Sequence, residues 1–400
     1  LKIKTIQIEG YRSLKNVEWQ PGSLNIVIGP NGTGKSNLLR FLEMLSIAAR
    51  GRLSRHIESA GGIKPLLWDG KAEAISCKLE VAVGEYDANK ANICGDGLIY
   101  DFLLRQIGTG FDYRVEREQL NAGNCHSWEG EEKQNVYLQR VKNEGYIYNA
   151  DEQKLAMPEE GIAGEELLLA VAASPFARCK PISYFQKQLA SWAIYHDLYV
   201  HQESRIRQPA VSRYETAVAP DGQNLVSVLH TLYTGSRDFK FSIDNAMKAA
   251  FGNDYEELIF PPAADQRIQL RIRWSSLTHE QSAADMSDGT LFFLLLMTIL
   301  NNPDPPALVA IDEPETGLHP SMLPIITEHA VDLAQRTQLI FTTHSSQFLD
   351  AFHENRPVTT IAGWQNGESK LRVLKGEDLE YWLRSYSLGS LFVSGELEGI

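Results

Sequence analysis

This sequence predicts an α/β fold with a mixed or parallel sheet core, an antiparallel meander and a helical portion. Three observations carry that prediction. A short apolar strand, Leu24 to Ile28, runs straight into the glycine-rich stretch GPNGTGKS and then into a segment of helical periodicity. From about Ala74 to Asn149 the pattern switches to period two. The final quarter alternates apolar strand, helix and apolar strand, written ALVAID, SMLPIITEHAVDLAQ and QLIFTTH.

The chain opens on KIKTIQIEGYRSL, whose Ile3, Ile6 and Ile8 alternate loosely with polar residues and predict a strand ending at Gly10. Behind the glycine loop, Leu38, Leu39, Leu42, Leu45 and Ile47 recur at helical spacing from Ser36 to Ala49. In the meander, AISCKLEVAV sets Ile75, Cys77, Leu79, Val81 and Val83 on one face. FDYRVERE sets Phe111, Tyr113 and Val115 opposite Asp112, Arg114 and Glu116. Helical patterns follow at LASWAIYHDL and, after Pro209, Pro220, Asp221 and Gly222, at GQNLVSVLHTLY and SIDNAMKAAF. RIQLRIRW predicts a strand with Ile268, Leu270, Ile272 and Trp274 on one face and Arg267, Gln269, Arg271 and Arg273 on the other. Then MSDGTLFFLLLMTIL places the polar cluster Ser287, Asp288, Gly289 and Thr290 at the lip of an apolar wall, Leu291 to Leu300, a helix N-cap before a core helix. No heptad run or internal repeat accompanies these elements.

Four hundred residues at 43% apolar composition supply a real core and one to three domains. A net charge of −13 argues against a surface that attracts nucleic acid throughout, while leaving room for a local basic stripe. The wall Leu291 to Leu300 is about half a membrane span, and the opening Leu1-Lys2-Ile3-Lys4 does not read as a secretory signal, so the expectation is a cytoplasmic protein with no membrane partner. Cys77, Cys94, Cys125 and Cys179 are scattered, with no zinc spacing, and are expected to be reduced thiols.

Gly29, Pro30, Asn31, Gly32, Thr33, Gly34, Lys35 and Ser36 fit the phosphate-loop pattern in full, between a strand and a helix as its mechanism requires. Glycines let backbone N–H groups turn toward an anion, Lys35 neutralises the β and γ phosphates, and the Ser36 hydroxyl can ligate Mg2+. Leu308 to Ile311 is an apolar strand ending in Asp312 and Glu313. The first can hold the magnesium shell, and the second can polarise a water that attacks the γ-phosphate. Thr342-Thr343-His344-Ser345 ends another apolar strand, and a histidine there can hydrogen-bond the γ-phosphate.

The opening strand with GYRSL, then GPNGTGKSNLL, SDGT, DEPETGLHP and TTHS, in that order, resemble the ABC-type ATPase head shared by SMC proteins, RecF-type repair proteins and the ATPase half of overcome-lysogenization-defect nucleases. Within that group the chain is similar to small stand-alone bacterial (predicted) AAA family ATPases, whose ends resemble YSLGSLFVSGELEG. The resemblance implies a P-loop NTPase with lobe I at residues 1–205 and 301–400, an antiparallel insert at about 72–150, and a helical lobe II at 206–300 carrying the signature. It implies ATP and Mg2+ as ligands and a head-to-tail homodimer or higher homo-oligomer, in which Ser287, Asp288 and Gly289 contact nucleotide held by the other copy. Asn37 and Arg12 join the nucleotide-binding residues on the same grounds. Thr316, Gly317, Leu318, His319 and Pro320 resemble the loop through which two heads touch, and Gln202, after YHDLYVH, is preferred over Gln186 and Gln188 as the magnesium-sensing glutamine.

The function expected is an ATP-hydrolysing switch controlling a protein effector, such as a nuclease encoded nearby, in phage defence. Action directly on DNA is the alternative. Three arginine groups could track a phosphate backbone: Arg40, Arg50, Arg52 and Arg55; Arg205, Arg207 and Arg213; Arg267, Arg271 and Arg273. Pairing with some of the 51 acidic residues is the competing reading. A transporter ATPase fits poorly, because SDGT replaces LSGGQ and a large insert separates Ser36 from Ser287. Residues 345–400 are too few for the nuclease domain of the overcome-lysogenization-defect type.

Overall fold

A computed structural model describes residues 1–108, 110–123, 136–149, 154–157, 164–173, 179–352, 355–374 and 387–394. Cys125 and part of the terminal YSLGSLFVSGELEG stretch lie outside them. The chain divides into two compact units, one of Leu1–Trp192, Pro306–Leu308 and Val358–Leu374, the other of Ala193–Pro305, Val309–Pro357 and Lys375–Ile400. Within the second unit the helix Asp288–Leu300 lies against the helix Leu323–Arg336, and this unit also holds the strand ends at Asp312 and Thr343.

The first unit holds an eight-stranded antiparallel sheet. Its strands run in the spatial order Leu14–Trp19, Lys2–Tyr11, Ala74–Ala82, Gly97–Gln106, Tyr113–Ala122, Val136–Val141, Glu144–Asn149 and Lys154–Ala156. Alternation sets the register: Ile75, Cys77, Leu79 and Val81 are buried, while Ser76, Lys78 and Glu80 between them are not. Tyr113 and Val115 are buried as expected, but Phe111 precedes the strand and is exposed. The strand Leu24–Ile28 pairs in parallel with Val358–Gln365, Val27 opposite Thr360. Trp19 Nε1 donates to Thr360 Oγ1 at 2.9 Å, fastening the two sheets of this unit. The P-loop helix, Lys35–Ala49, buries Leu38, Leu39, Phe41, Leu42 and Leu45, and it packs on the helix Lys180–Ala190.

In the second unit the strand Ala193–Tyr195 pairs in parallel with the strand Leu308–Asp312, Tyr195 opposite Ile311, and Gln338–Thr343 lies on that strand's other side. The predicted helix over LASWAIYHDL is therefore corrected. Its first residues finish the helix Lys180–Ala190, and Ala193–Tyr195 is a strand, because four apolar residues in a row suit a strand buried on both faces. RIQLRIRW is likewise two short strands, Arg267–Ile268 and Arg271–Trp274, in different three-stranded sheets. Residues 206–300 thus mix those small sheets with the helices Leu225–Gly235, Arg237–Phe251 and Asp288–Leu300.

Every residue from Leu291 to Leu300 is buried, which is why that wall is apolar all round rather than on one stripe. Cys77 and Cys179 are free and buried, but Cys94 is disulfide-bonded, against the expectation of four reduced thiols. Sequence spacing measures distance along the chain, not in space. No helix among the described residues is long and apolar enough to cross a membrane.

Candidate functional site

In the first unit, the glycine loop follows the buried strand Leu24–Ile28 and opens the P-loop helix. Gly34 caps that helix at φ 95°, and a Cβ there would meet Ser369 Oγ at 2.0 Å, so only glycine fits. Lys35 is buried, and its ammonium donates to the carbonyls of Gly29 at 2.6 Å and Pro30 at 3.1 Å. Thr33 Oγ1 also donates to Pro30 O, at 2.9 Å, which tightens the turn; Pro30, Asn31 and Gly32 are exposed at its tip. Ser36 is half-buried in the first helical turn.

Asn37 is engaged locally, its amide donating to Ser13 Oγ at 2.8 Å, where Ser369 Oγ also donates at 2.7 Å. Arg12 occupies the turn after the first strand at φ 45°, its N–H bonded to Leu66 O. Its Nε is buried and makes no hydrogen bond among the described residues. Burial pushes the neighbouring Tyr11 hydroxyl up to about 12, against the pull of Arg12 and Arg40.

The second unit gathers the remaining candidates. Asp312 ends its strand and accepts a hydrogen bond from the Thr342 hydroxyl on the neighbouring strand. Glu313 follows at φ 48°, a left-handed conformation rare for a side-chain-bearing residue, and its N–H bonds Thr342 O at 3.0 Å. Its Oε1 lies 3.0 Å from His344 Nδ1. Beside it, burial raises the carboxyl of Glu315, opposed by the hydrogen bond from the Thr343 hydroxyl. Two adjacent strand ends thus hold a carboxylate pair and a histidine together.

Ser287 caps the signature helix: its Oγ accepts from Thr290 N at 3.1 Å. Ser287 and Asp288 are exposed. A Cβ on Gly289 would come within 3.1 Å of Gly317 O, so the signature turn and the loop Thr316–Gly317 approach closely. Around them lies a cavity of about 400 Å³, lined by His196, Tyr199, Asp288, Gly289, Asp312 and Glu313, among others. His319 caps the short turn Pro320–Met322 through Ser321 N.

His196 is the residue that sequence reasoning missed. It follows Tyr195 at the strand end, which the parallel register sets beside Asp312, and its Nδ1 lies 3.7 Å from Asp312 Oδ2. The signal was available in WAIY-His, an apolar run ending in a polar residue like those ending at Asp312 and His344. Gln202 sits exposed on the turn after His201. Gln186 donates to Ala49 O at 2.7 Å, capping the P-loop helix. Of the arginines, Arg273 pairs with Glu257 at 2.5 Å and with Glu280 at 3.4 Å, Arg271 pairs with Glu280 at 4.0 Å, and Arg207 pairs with Asp288. For these three the pairing reading holds.

Residues 1–152 match the sequence-family model "AAA ATPase domain", and residues 196–350 match "AAA domain, putative AbiEii toxin, Type IV TA system". No curated protein matches the chain. Among solved structures, an SMC head bound to the C-winged helix domain of ScpA is similar over 95% of this chain and 100% of its own, with 14% identity and a TM-score of 0.55. An SMC head with an extended coiled coil, bound to the C-terminal domain of ScpA derived from Pyrococcus furiosus, is similar over 96% and 98%, with 12% identity and a TM-score of 0.53. At such identities the likeness is one of fold.

Proposed function

We propose that this chain is an ABC-type ATPase head of the SMC and RecF-like kind and acts as a Mg2+-dependent switch: ATP joins two copies head to tail, and hydrolysis releases them to control a protein effector. The observation that carries this reading is the pairing of Glu313 with His344 beside Asp312 at two adjacent strand ends.

The residues suit the ligands. The loop tip is open to an anion, since nothing lies within 4 Å of a Cβ built on Gly32, and Arg12 keeps a buried Nε with capacity to meet an anion. The Ser36 hydroxyl in the first unit and Asp312 in the second are each hard oxygen donors of the type Mg2+ takes. Mg2+, when bound, would neutralise phosphate charge.

Each role is assigned from its motif, with the geometry inside its own unit as support. Loop N–H groups and Lys35 hold the phosphates. Glu313 accepts the proton of a water attacking the γ-phosphorus, and ADP is the leaving group. His344 orients Glu313 and hydrogen-bonds the γ-phosphate. His196 steadies Asp312. Ser287 and Gly289 meet the phosphate on the second copy, with the helix N-terminus supplying free N–H groups.

A protein effector is favoured over DNA because Arg207, Arg271 and Arg273 are committed to carboxylates of the chain itself. The SMC heads above, each bound to a partner domain, support the same choice, and a phage-defence role is the setting we assign by analogy. Light scattering with and without ATP, alongside turnover at several protein concentrations, tests the switch. ATP-driven doubling of mass with turnover per molecule rising with concentration is expected, and concentration-independent turnover by a monomer refutes it.

A further inference from the structure

The signature turn carries an acid where a phosphate has to dock. Asp288 is the first residue of the signature helix, between the cap Ser287 and Gly289, and its side chain is 64% exposed. An uncompensated carboxylate there repels an incoming triphosphate and offsets the attraction of the helix N-terminus.

The compensating charge comes from Arg207, whose side chain is only 2% exposed. Its guanidinium donates to the carbonyls of Val200 at 2.8 Å, His201 at 3.1 Å, Ala283 at 3.2 Å, Ala284 at 3.4 Å and Met286 at 2.7 Å, and Nη2 bonds the Asp288 carboxylate. Backbone carbonyls fix the arginine in place but carry no net charge. The carboxylate supplies the counter-charge, and the pair is close to neutral as a unit. Arg207 also ties the segment after His196 to the residues just before the signature helix, so the turn is fixed from a rigid base.

We propose that Arg207 is a positioning residue that neutralises and aims Asp288, making an acid-bearing signature turn able to receive the triphosphate held by a second copy of this chain. The inference rests on the head-to-tail reading above, and it concerns one pair within that contact.

The test is a double-mutant cycle, Arg207→Met, Asp288→Asn and the combination, in protein carrying Glu313→Gln to stop turnover. Association is read by light scattering against protein concentration, and nucleotide binding by monomers with a fluorescent ATP analogue. Arg207→Met is expected to raise the concentration needed for ATP-driven association by about tenfold, with monomer binding preserved. Adding Asp288→Asn recovers most of that loss, because the repelling charge is gone. A purely structural arginine predicts no recovery, and that result overturns the proposal. Should Arg207→Met fail to fold, Asp288→Asn alone decides: an arginine freed of its partner makes association tighter and more salt-sensitive, and weaker association overturns the proposal. If the parent protein binds ATP but never associates, the head-to-tail reading itself falls and takes this inference with it.

Discussion

Glu313 Oε1 stands 3.0 Å from His344 Nδ1, joining the ends of two neighbouring strands through one polar contact. The carboxylate is held by its own backbone at φ 48° and by the ring, so it is aimed before any substrate arrives. Glu313→Gln keeps the shape and removes the base. Turnover should fall by about 10²-fold or more while ATP binding persists, so that ATP-dependent dimers accumulate on size-exclusion chromatography. Undiminished phosphate release would take Glu313 out of that role.

Lys35 is buried against the carbonyls of Gly29 and Pro30, and it is the one charged residue from Gly29 to Ser36, to which we assign the contact with the phosphates. Lys35→Ala should abolish ATP binding measured by calorimetry while the melting temperature stays within a few degrees. Normal nucleotide affinity in this variant would refute the P-loop assignment.

Ser287 both caps its helix and faces solvent. Loss of the cap alone costs about 1 kcal/mol of stability. Ser287→Arg should therefore fold, bind ATP as a monomer and yet fail to associate on ATP. Association at the parent concentration would leave the serine as a cap only.

His196 and Gln202 lie on one segment; His196 stands beside Asp312, and Gln202 is exposed on the turn after His201. We expect His196→Ala to lower turnover by about tenfold or more and Gln202→Ala to leave it within about twofold of the parent. Steady-state phosphate release compares the two directly, and the reverse order would restore the glutamine to the metal role.

His329 Nδ1 pairs with Asn301 Oδ1 at 2.9 Å at the far end of the signature helix, and burial lowers its pKa below the ordinary 6.5. The folded state favours the neutral ring. Its contribution to stability is present above 6.5 and is lost as pH falls through the lowered folded value, because the unfolded chain takes up the proton first. Thermal melts between pH 7 and pH 5 should show a shallower acid loss for His329→Gln than for the parent.

The loop Gly29 to Ser36, the pair Asp312 and Glu313, and His344 were all legible in the sequence, since each belongs to a contiguous strand-and-turn pattern whose chemistry needs neighbouring residues. The meander was legible for the same reason: burying one face forces alternation, seen in Ile75, Cys77, Leu79 and Val81. The wall Leu291 to Leu300 likewise declared its burial in its composition.

Tertiary structure alone decided what joins distant parts of the chain. A three-residue strand at Ala193–Tyr195, hidden behind a helix end, carries His196 to Asp312 only because it pairs with Leu308–Asp312. Arg207 read as one of a basic group until its charge met Asp288 across the fold. Local patterns report which face of an element is buried. Which charge answers which depends on packing between elements far apart in sequence, and no local periodicity encodes that.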